Sequence, residues 1–357
     1  MSTKRERVIA AFRRSGPDRV PRWLQLSPAL KVALQEAVGT EDLVAAFNLD
    51  LNYDETVSRG PSSLKADFSR YFDEIPPGAY YSDWGEMWYP AGFYHFEGQK
   101  KPMAGFTSIK ELEEYPFPDP DAEYRYTETA ARAEAIKRTG LPAISSYDCG
   151  FFEQAHGVRG MDNILVDLLI NPDFAYALLE KIAVRKIGAA VQYAKAGVDI
   201  LFLGDDWGYE KSTIMSLPMW RRYFKPLLAK EVAAVRAVNP DVIIAYHSCG
   251  HVEPVVPELI ECGIDVLQSV QPEANDPARL KRLYGNHLSF WGTIGVQSTF
   301  PFGTPEEMDR VVKERIETVG RGGGLLIGPA HCIEPETPVE NVFAFIKAVE
   351  KYGEYLS

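Results

Sequence analysis

The sequence predicts an α/β protein: a single (β/α)8 TIM barrel spanning residues 1–357, with an elaborated N-terminal segment at its mouth. Three observations predict it. Short apolar runs alternate with long stretches of helical periodicity, the pattern of a parallel sheet with covering helices. The apolar runs are nearly continuous, as strands buried on both faces must be. The 357 residues also suit one such barrel. An open doubly wound sheet is the competing arrangement, and no glycine-rich dinucleotide fingerprint supports it.

The elements follow in order. Residues 20–26 read as an early strand, and 141–146 as the next clear one. Asn171 and Pro172 start a helix as N-cap and first helical residue, and Gly197 ends it. Strands are expected at 199–204, 242–246, 265–270, 288–291 and 324–328. Helices are expected at 218–238, 253–262, 277–284, 305–319 (capped by Thr304) and 338–352. Residues 53–120 are rich in aromatic residues, proline and glycine and are poorly periodic. They are expected to form a lid or insertion around the mouth.

Composition excludes several classes of function. A net charge of −12 opposes nucleic-acid binding, which needs a basic footprint. No apolar run reaches the roughly 20 residues of a membrane helix, and residues 1–7 carry no signal-peptide core. Four cysteines (Cys149, Cys249, Cys262 and Cys332) are too few for a disulfide framework in so long a chain. A soluble cytoplasmic protein is expected, with a homodimer left open.

The polar clusters fall at the C-terminal ends of expected strands, which in a barrel share the face that holds the active site. They are Tyr147-Asp148-Cys149, Asp205-Asp206-Trp207-Gly208, His247 with Cys249, Gln271, Thr293 with Gln297, and His331-Cys332. Residues i and i+2 of a strand point the same way, so His247 and Cys249 can converge on one ion. Imidazole and thiolate are zinc's usual ligands, and a catalytic zinc takes three protein ligands and keeps one position open. The bland alternative is a buried thiol beside a satisfied histidine; a second His/Cys pair at 331–332 tips the reading toward a metal. Cys332, the softer donor, is favoured as third ligand over His331, with Asp205 or Glu153 in a displaceable fourth position. Asp205 and Asp206 are candidate acid–base groups or orienters of a ligand histidine, although Asp206 could equally cap the following turn. Glu153, Tyr147, Trp207 and Gln271 are candidates to line the substrate pocket. The aromatics Trp84, Trp88, Tyr89, Phe151 and Phe152 suit either a pocket or the core. Cys262, at a helix end, reads as structural.

At these residues the chain resembles the uroporphyrinogen decarboxylase superfamily. Arg5-Glu6-Arg7-Val8 with Pro17-Asp18-Arg19-Val20-Pro21 is similar to the family's opening. The stretch from His331 to Val342 (His-Cys-Ile-Glu-Pro-Glu-Thr-Pro-Val-Glu-Asn-Val) resembles its His-Gly-Ile-X-Pro-X-Thr-Pro-X-Glu-Asn-Val signature. The resemblance implies a single (β/α)8 barrel and two chemistries. The decarboxylases bind an acidic tetrapyrrole without metal, through an Arg-Gln-Ala-Gly-Arg loop. Here that region reads Trp23-Leu24-Gln25-Leu26-Ser27-Pro28-Ala29-Leu30, without those arginines. The corrinoid-dependent methyltransferases carry zinc on His-X-Cys-Gly, which His247-Ser248-Cys249-Gly250 matches. In their coenzyme M branch the third ligand is a cysteine, and that position falls on His331 here. Gly204-Asp205-Asp206-Trp207-Gly208 and Val270-Gln271-Pro272 are similar to the demethylating branch.

The resemblance therefore implies Zn²⁺, a corrinoid (cobalamin) carried by a separate protein, and a small methylated substrate, such as a methyl ether, or a thiol. An O-demethylase component is expected ahead of a coenzyme M methyltransferase. A metal-free decarboxylase and a non-catalytic binding barrel are the competing readings.

Overall fold

A computed structural model describes residues 2–93 and 96–354. The chain opens with the helix Lys4–Phe12, started by a reciprocal capping box between Thr3 and Glu6. Its Val8 and Phe12 are buried among the residues that fill the lower barrel.

Residues 53–120 contain a small antiparallel sheet of β1 (Tyr80–Tyr81), β2 (Met87–Pro90) and β3 (Glu97–Lys100). Phe68, Tyr71, Tyr81, Phe106 and Tyr115 pack ring against ring beneath it. This layer is tied to the helix Phe151–Arg159: Met103 N donates to Val158 O at 2.9 Å, and Arg159 Nη1 donates to Met103 O at 2.7 Å.

The main sheet has five parallel strands in sequential order: β4 (Ile200–Gly204), β5 (Ile243–His247), β6 (Val266–Ser269), β7 (Ser289–Ile294) and β8 (Leu325–Pro329). Three less regular segments complete the ring. Residues 22–26 lie beside β8, with parallel bridges Arg22 to Ile327 and Leu26 to Ile333. Asp50 N donates to Arg22 O, and Val57 N to Ile144 O, both at 2.8 Å. Ile144 in turn bridges Ile200 of β4. The wall therefore reaches Val57, inside the stretch expected as an insertion. Asp50, fully buried, also accepts from Arg22 N, Arg7 and Arg19. A carboxylate does part of the work that backbone pairing does elsewhere in the ring.

Alternation along the strands sorts the core into two layers. Ile200, Phe202, Ile243, Ala245, Val266, Trp291 and Leu326 fill the lumen with Trp23, Leu51 and Ile144. Leu201, Leu203, Ile244, Tyr246, Leu267, Phe290, Leu325 and Ile327 meet the surrounding helices. On β5 the inward positions are 243 and 245, so 247 continues the inward row.

The expected helix at 218–238 is two helices, Leu217–Tyr223 and Lys225–Val238. Pro226 has no N–H to continue the first, and the chain restarts after Phe224. Among the described residues no helix is long and apolar enough to cross a membrane.

Candidate metal centre

His247 ends β5 and Cys249 lies just beyond it. The turn between them is tightly specified. Gly250 has φ +73°, and a Cβ there would lie 2.3 Å from the Gly208 backbone. Only glycine fits that conformation and that contact. Cys249 N donates to Asp206 Oδ1 at 2.6 Å, Gly250 N to Gln271 Oε1 at 3.2 Å, and Ser248 N to Gln268 O at 2.7 Å. The loops after β4 and β6 thus clamp the loop after β5.

The ligand atoms of His247, Cys249 and His331 all lie within 4.8 Å of one another. His247 Nε2 is 3.3 Å from Cys249 Sγ. Zinc bonds of about 2.0–2.3 Å at tetrahedral angles separate neighbouring ligand atoms by about 3.3–3.8 Å, so this pair already has the right spacing. The other nitrogen, His247 Nδ1, meets Gln268 Oε1. A proton shared there leaves Nε2 free for a cation, the usual outer support of a metal-bound imidazole. His331 stands at the mouth, its ring centroid 5.9 Å from that of His247.

The electrostatics suit a cation. Burial works against a charge on His247, but Cys249 and Asp206 outweigh it and push the imidazole up to about 10. Two imidazoles and one thiol, with a carboxylate beside them, form a set that fits zinc.

The structure does not bring the other candidates into this group. Cys332, favoured as third ligand, turns its sulfur toward Ile333 O at 3.8 Å. Burial, with Glu334 and Asp54 nearby, pushes its thiol up to about 12. Softness favoured Cys332, but the chain direction after β8 presents the preceding residue. Asp205 is fully buried and spends both oxygens on helix Phe151–Arg159, accepting from Phe152 N at 3.1 Å and Glu153 N at 2.7 Å. Asp206, considered as a cap of its own following turn, accepts instead from Cys249 N, while Asp205 caps the helix Phe151–Arg159. Burial and Glu153 raise the Asp205 carboxyl well above the usual range.

Asp206 Oδ1 stands beside the donor nitrogen itself, 3.4 Å from His247 Nε2. Trp207 faces the outer layer: it is 1% exposed, stacks on Phe152, and donates to Tyr246 OH at 2.9 Å. Gln271 braces the Cys249–Gly250 turn. Tyr147 does line the lumen, its ring 5.4 Å from His247, and its hydroxyl donates to Glu153 Oε2 at 2.5 Å.

Two participants went unnoticed in the sequence. Gln268 had a usable signal, because it is polar and two residues after the inward Val266. Tyr53, whose ring meets Trp23 and Phe202, lay in a stretch with no periodic pattern to place it.

A parallel barrel with a nitrogen–sulfur donor set at the C-terminal rim defines the class. Residues 103–352 match the uroporphyrinogen decarboxylase (URO-D) family, and the chain belongs to it. Its relatives carry two kinds of name. Methylcobamide:CoM methyltransferase MtaA of Methanosarcina barkeri is 28% identical over 168 residues, 46% of each chain. The methylated-thiol–coenzyme M methyltransferase of Methanosarcina mazei is 25% identical over 59% of this chain and 53% of its own. Uroporphyrinogen decarboxylase of Coxiella burnetii is 24% identical over 51% and 48% respectively. The matched stretch spans about half the length of these curated relatives. A solved methyltransferase from Methanosarcina mazei shares the fold across 99% of both chains, with a TM-score of 0.66 and 20% identity.

Proposed function

We propose that this protein transfers a methyl group between a small methylated substrate and the cobalt of a corrinoid carried by a separate protein, using zinc held by His247, Cys249 and His331. The observation that carries this reading is the convergence of those three donors within 4.8 Å at the barrel mouth. When bound, zinc supplies Lewis acidity, polarising the substrate heteroatom. The chain's own residues do the rest. Gln268 fixes the His247 tautomer, Asp206 holds the Cys249 turn, and Tyr147 borders the space next to the donors. Residues 58–120, beyond the wall position Val57, serve as the lid over this mouth of a single barrel.

The ligand set favours the donor side of the reaction. One thiolate and two neutral imidazoles leave the site with a net charge of +1. A second thiolate would neutralise it and weaken its pull on an ether oxygen. Methyl ethers or methanol as donors are therefore preferred over delivery of a thiolate to methylcobalamin, although the methyltransferase relatives are named for coenzyme M. The decarboxylase names support a second reading, but two arginines that could answer a polycarboxylate are already spent. Arg22 is buried and paired with Glu350, and Arg59 is paired with Asp148.

Metal analysis of the purified protein beside His247→Ala/Cys249→Ala tests the proposal, followed by cob(I)alamin methylation with methoxylated compounds. Equal zinc in the two proteins would remove the metal. Full decarboxylation of a porphyrinogen by the double variant would establish the other reading.

A further inference from the structure

Cleaving a methyl ether sets a demand that cleaving a methyl thioether does not. A departing thiolate is the base of an acid with pKa about 8.5, whereas a phenolate corresponds to about 10 and an alkoxide approaches the value of about 15.7 for bulk water. Beyond what a Lewis acid supplies, an oxygen leaving group gains far more from a proton at the moment of departure than sulfur does, and the gain grows with the basicity of the oxygen. Three carboxyls border the site. Asp205 spends both oxygens on the helix N-terminus. Asp206 puts one oxygen, Oδ1, both on Cys249 N and 3.4 Å from His247 Nε2, so its charge is committed to the donor group itself.

Glu153 is different. Its one side-chain hydrogen bond among the described residues is accepted at Oε2 from Tyr147 OH, which leaves Oε1 without a partner. It is half-buried. It lies outside the donor group of His247, Cys249 and His331. It is separated from that group by a single side chain, because the Tyr147 ring that touches it packs edge-on against His247. We infer that Glu153 is the catalytic proton donor to the oxygen released from an O-methyl substrate, an acid that equips the site for methyl ethers or methanol and that a methyl thioether does not use.

The inference rests on the methyl-transfer reading above. As the methyl carbon bonds to the cobalt of incoming cob(I)alamin, its bond to oxygen breaks. Cobalt provides the electron pair and passes from the +1 to the +3 state; the C–O pair stays on oxygen. The Glu153 proton moves to that oxygen, and water later restores it.

The surroundings favour the protonated form of Glu153. Burial and then the charge of Asp206 push its carboxyl up, against the opposite pull of Tyr147, His247 and Lys186. Asp205, beneath it, is itself raised by Glu153, so the two do not both ionise readily.

The test uses the full zinc-loaded chain, free cob(I)alamin, a series of aryl methyl ethers whose phenols differ in acidity, and one methyl thioether. Loss of a general acid typically costs 10²–10⁴-fold. Glu153→Gln should therefore lose about 100-fold or more on the ether of the least acidic phenol. It should stay near wild type on the ether of the most acidic phenol and on the thioether. Glu153→Asp should recover part of the loss.

Zinc content should be unchanged, and infrared titration should lose one protonated carboxyl band in the Gln variant. An equal loss on every ether and on the thioether would overturn the inference, as would zinc lost from Glu153→Gln, which would make this carboxylate a metal ligand. Wild-type zinc protein that demethylates nothing would refute the underlying methyl-transfer reading instead.

Discussion

Replacing His331 with alanine and, separately, Cys332 with serine tests the ligand set most directly. The two residues are adjacent, so chain geometry alone decides which one faces the ion. His331 offers a ligand atom within 4.8 Å of those of His247 and Cys249, whereas the Cys332 sulfur points at Ile333 O. Four-ligand structural zinc sites are worth about 10–16 kcal/mol in total. One ligand is then worth about 3 kcal/mol, or about 100-fold in affinity. Competition against a chromophoric chelator at fixed pH measures it. His331→Ala should weaken zinc by about 100-fold, and Cys332→Ser should leave it within a few-fold of wild type. Circular dichroism of both variants checks the fold, which neither residue supports from the core. The reverse order, with Cys332→Ser weaker and His331→Ala unchanged, would refute the geometric assignment.

Three further outcomes are expected. Gln268→Leu should cost about 10–100-fold in zinc affinity, as loss of an outer partner of a metal-bound histidine does, read by the same competition. His247 holds its proton up to about 10, so a binding metal must displace it. Apparent zinc affinity should rise with pH by up to about tenfold per unit below that value, and calorimetry in buffers of different ionisation enthalpy should count at least one proton released. Glu231 is fully buried and its carboxyl is raised to about 8, chiefly by burial and then by Asp148. The folded state therefore binds this proton more tightly than the unfolded chain. Its stabilising effect is complete below the ordinary carboxylate range and is lost as pH rises toward 8. Glu231→Gln should raise the Tm markedly at pH 8 and little at pH 5, measured by thermal unfolding; an equal effect at both values would count against the buried acid.

The legible parts of the chain are those where one physical signal dominates. The strands from 199 onward show as unbroken apolar runs because helices cover one face and the lumen packing covers the other. His247 and Cys249 were visible because they interrupt such a run at its end. The second wall segment was hidden. Asp50 fills its place with side-chain hydrogen bonds to Arg7, Arg19 and Arg22, so an acidic residue stands where a pattern search expects an apolar one. The choice between His331 and Cys332 was hidden for another reason. Sequence separates donors by chemistry, whereas adjacent loop residues are separated by backbone direction, which periodicity does not encode. Asp205 and Asp206 divide their roles on the same principle: the first points back into the helix N-terminus, and the second out toward the ligand turn.

The three donors also differ in how they are held. His247 continues a strand and is braced by Gln268 on the neighbouring strand. Cys249 is fixed through its own backbone by Asp206. Both therefore inherit the rigidity of the sheet. His331 lies past the end of β8 and is exposed, with only its ring contact to His247 among the described residues. On the zinc reading, the first two form a standing half-site, and the third closes it from the solvent side. Substrate and corrinoid must approach through that same opening. A change in the β8 loop that leaves His331 in place should then alter metal exchange rates more than equilibrium affinity, whereas a change at Gln268 should do the reverse. Stopped-flow zinc transfer to a chelator separates the two.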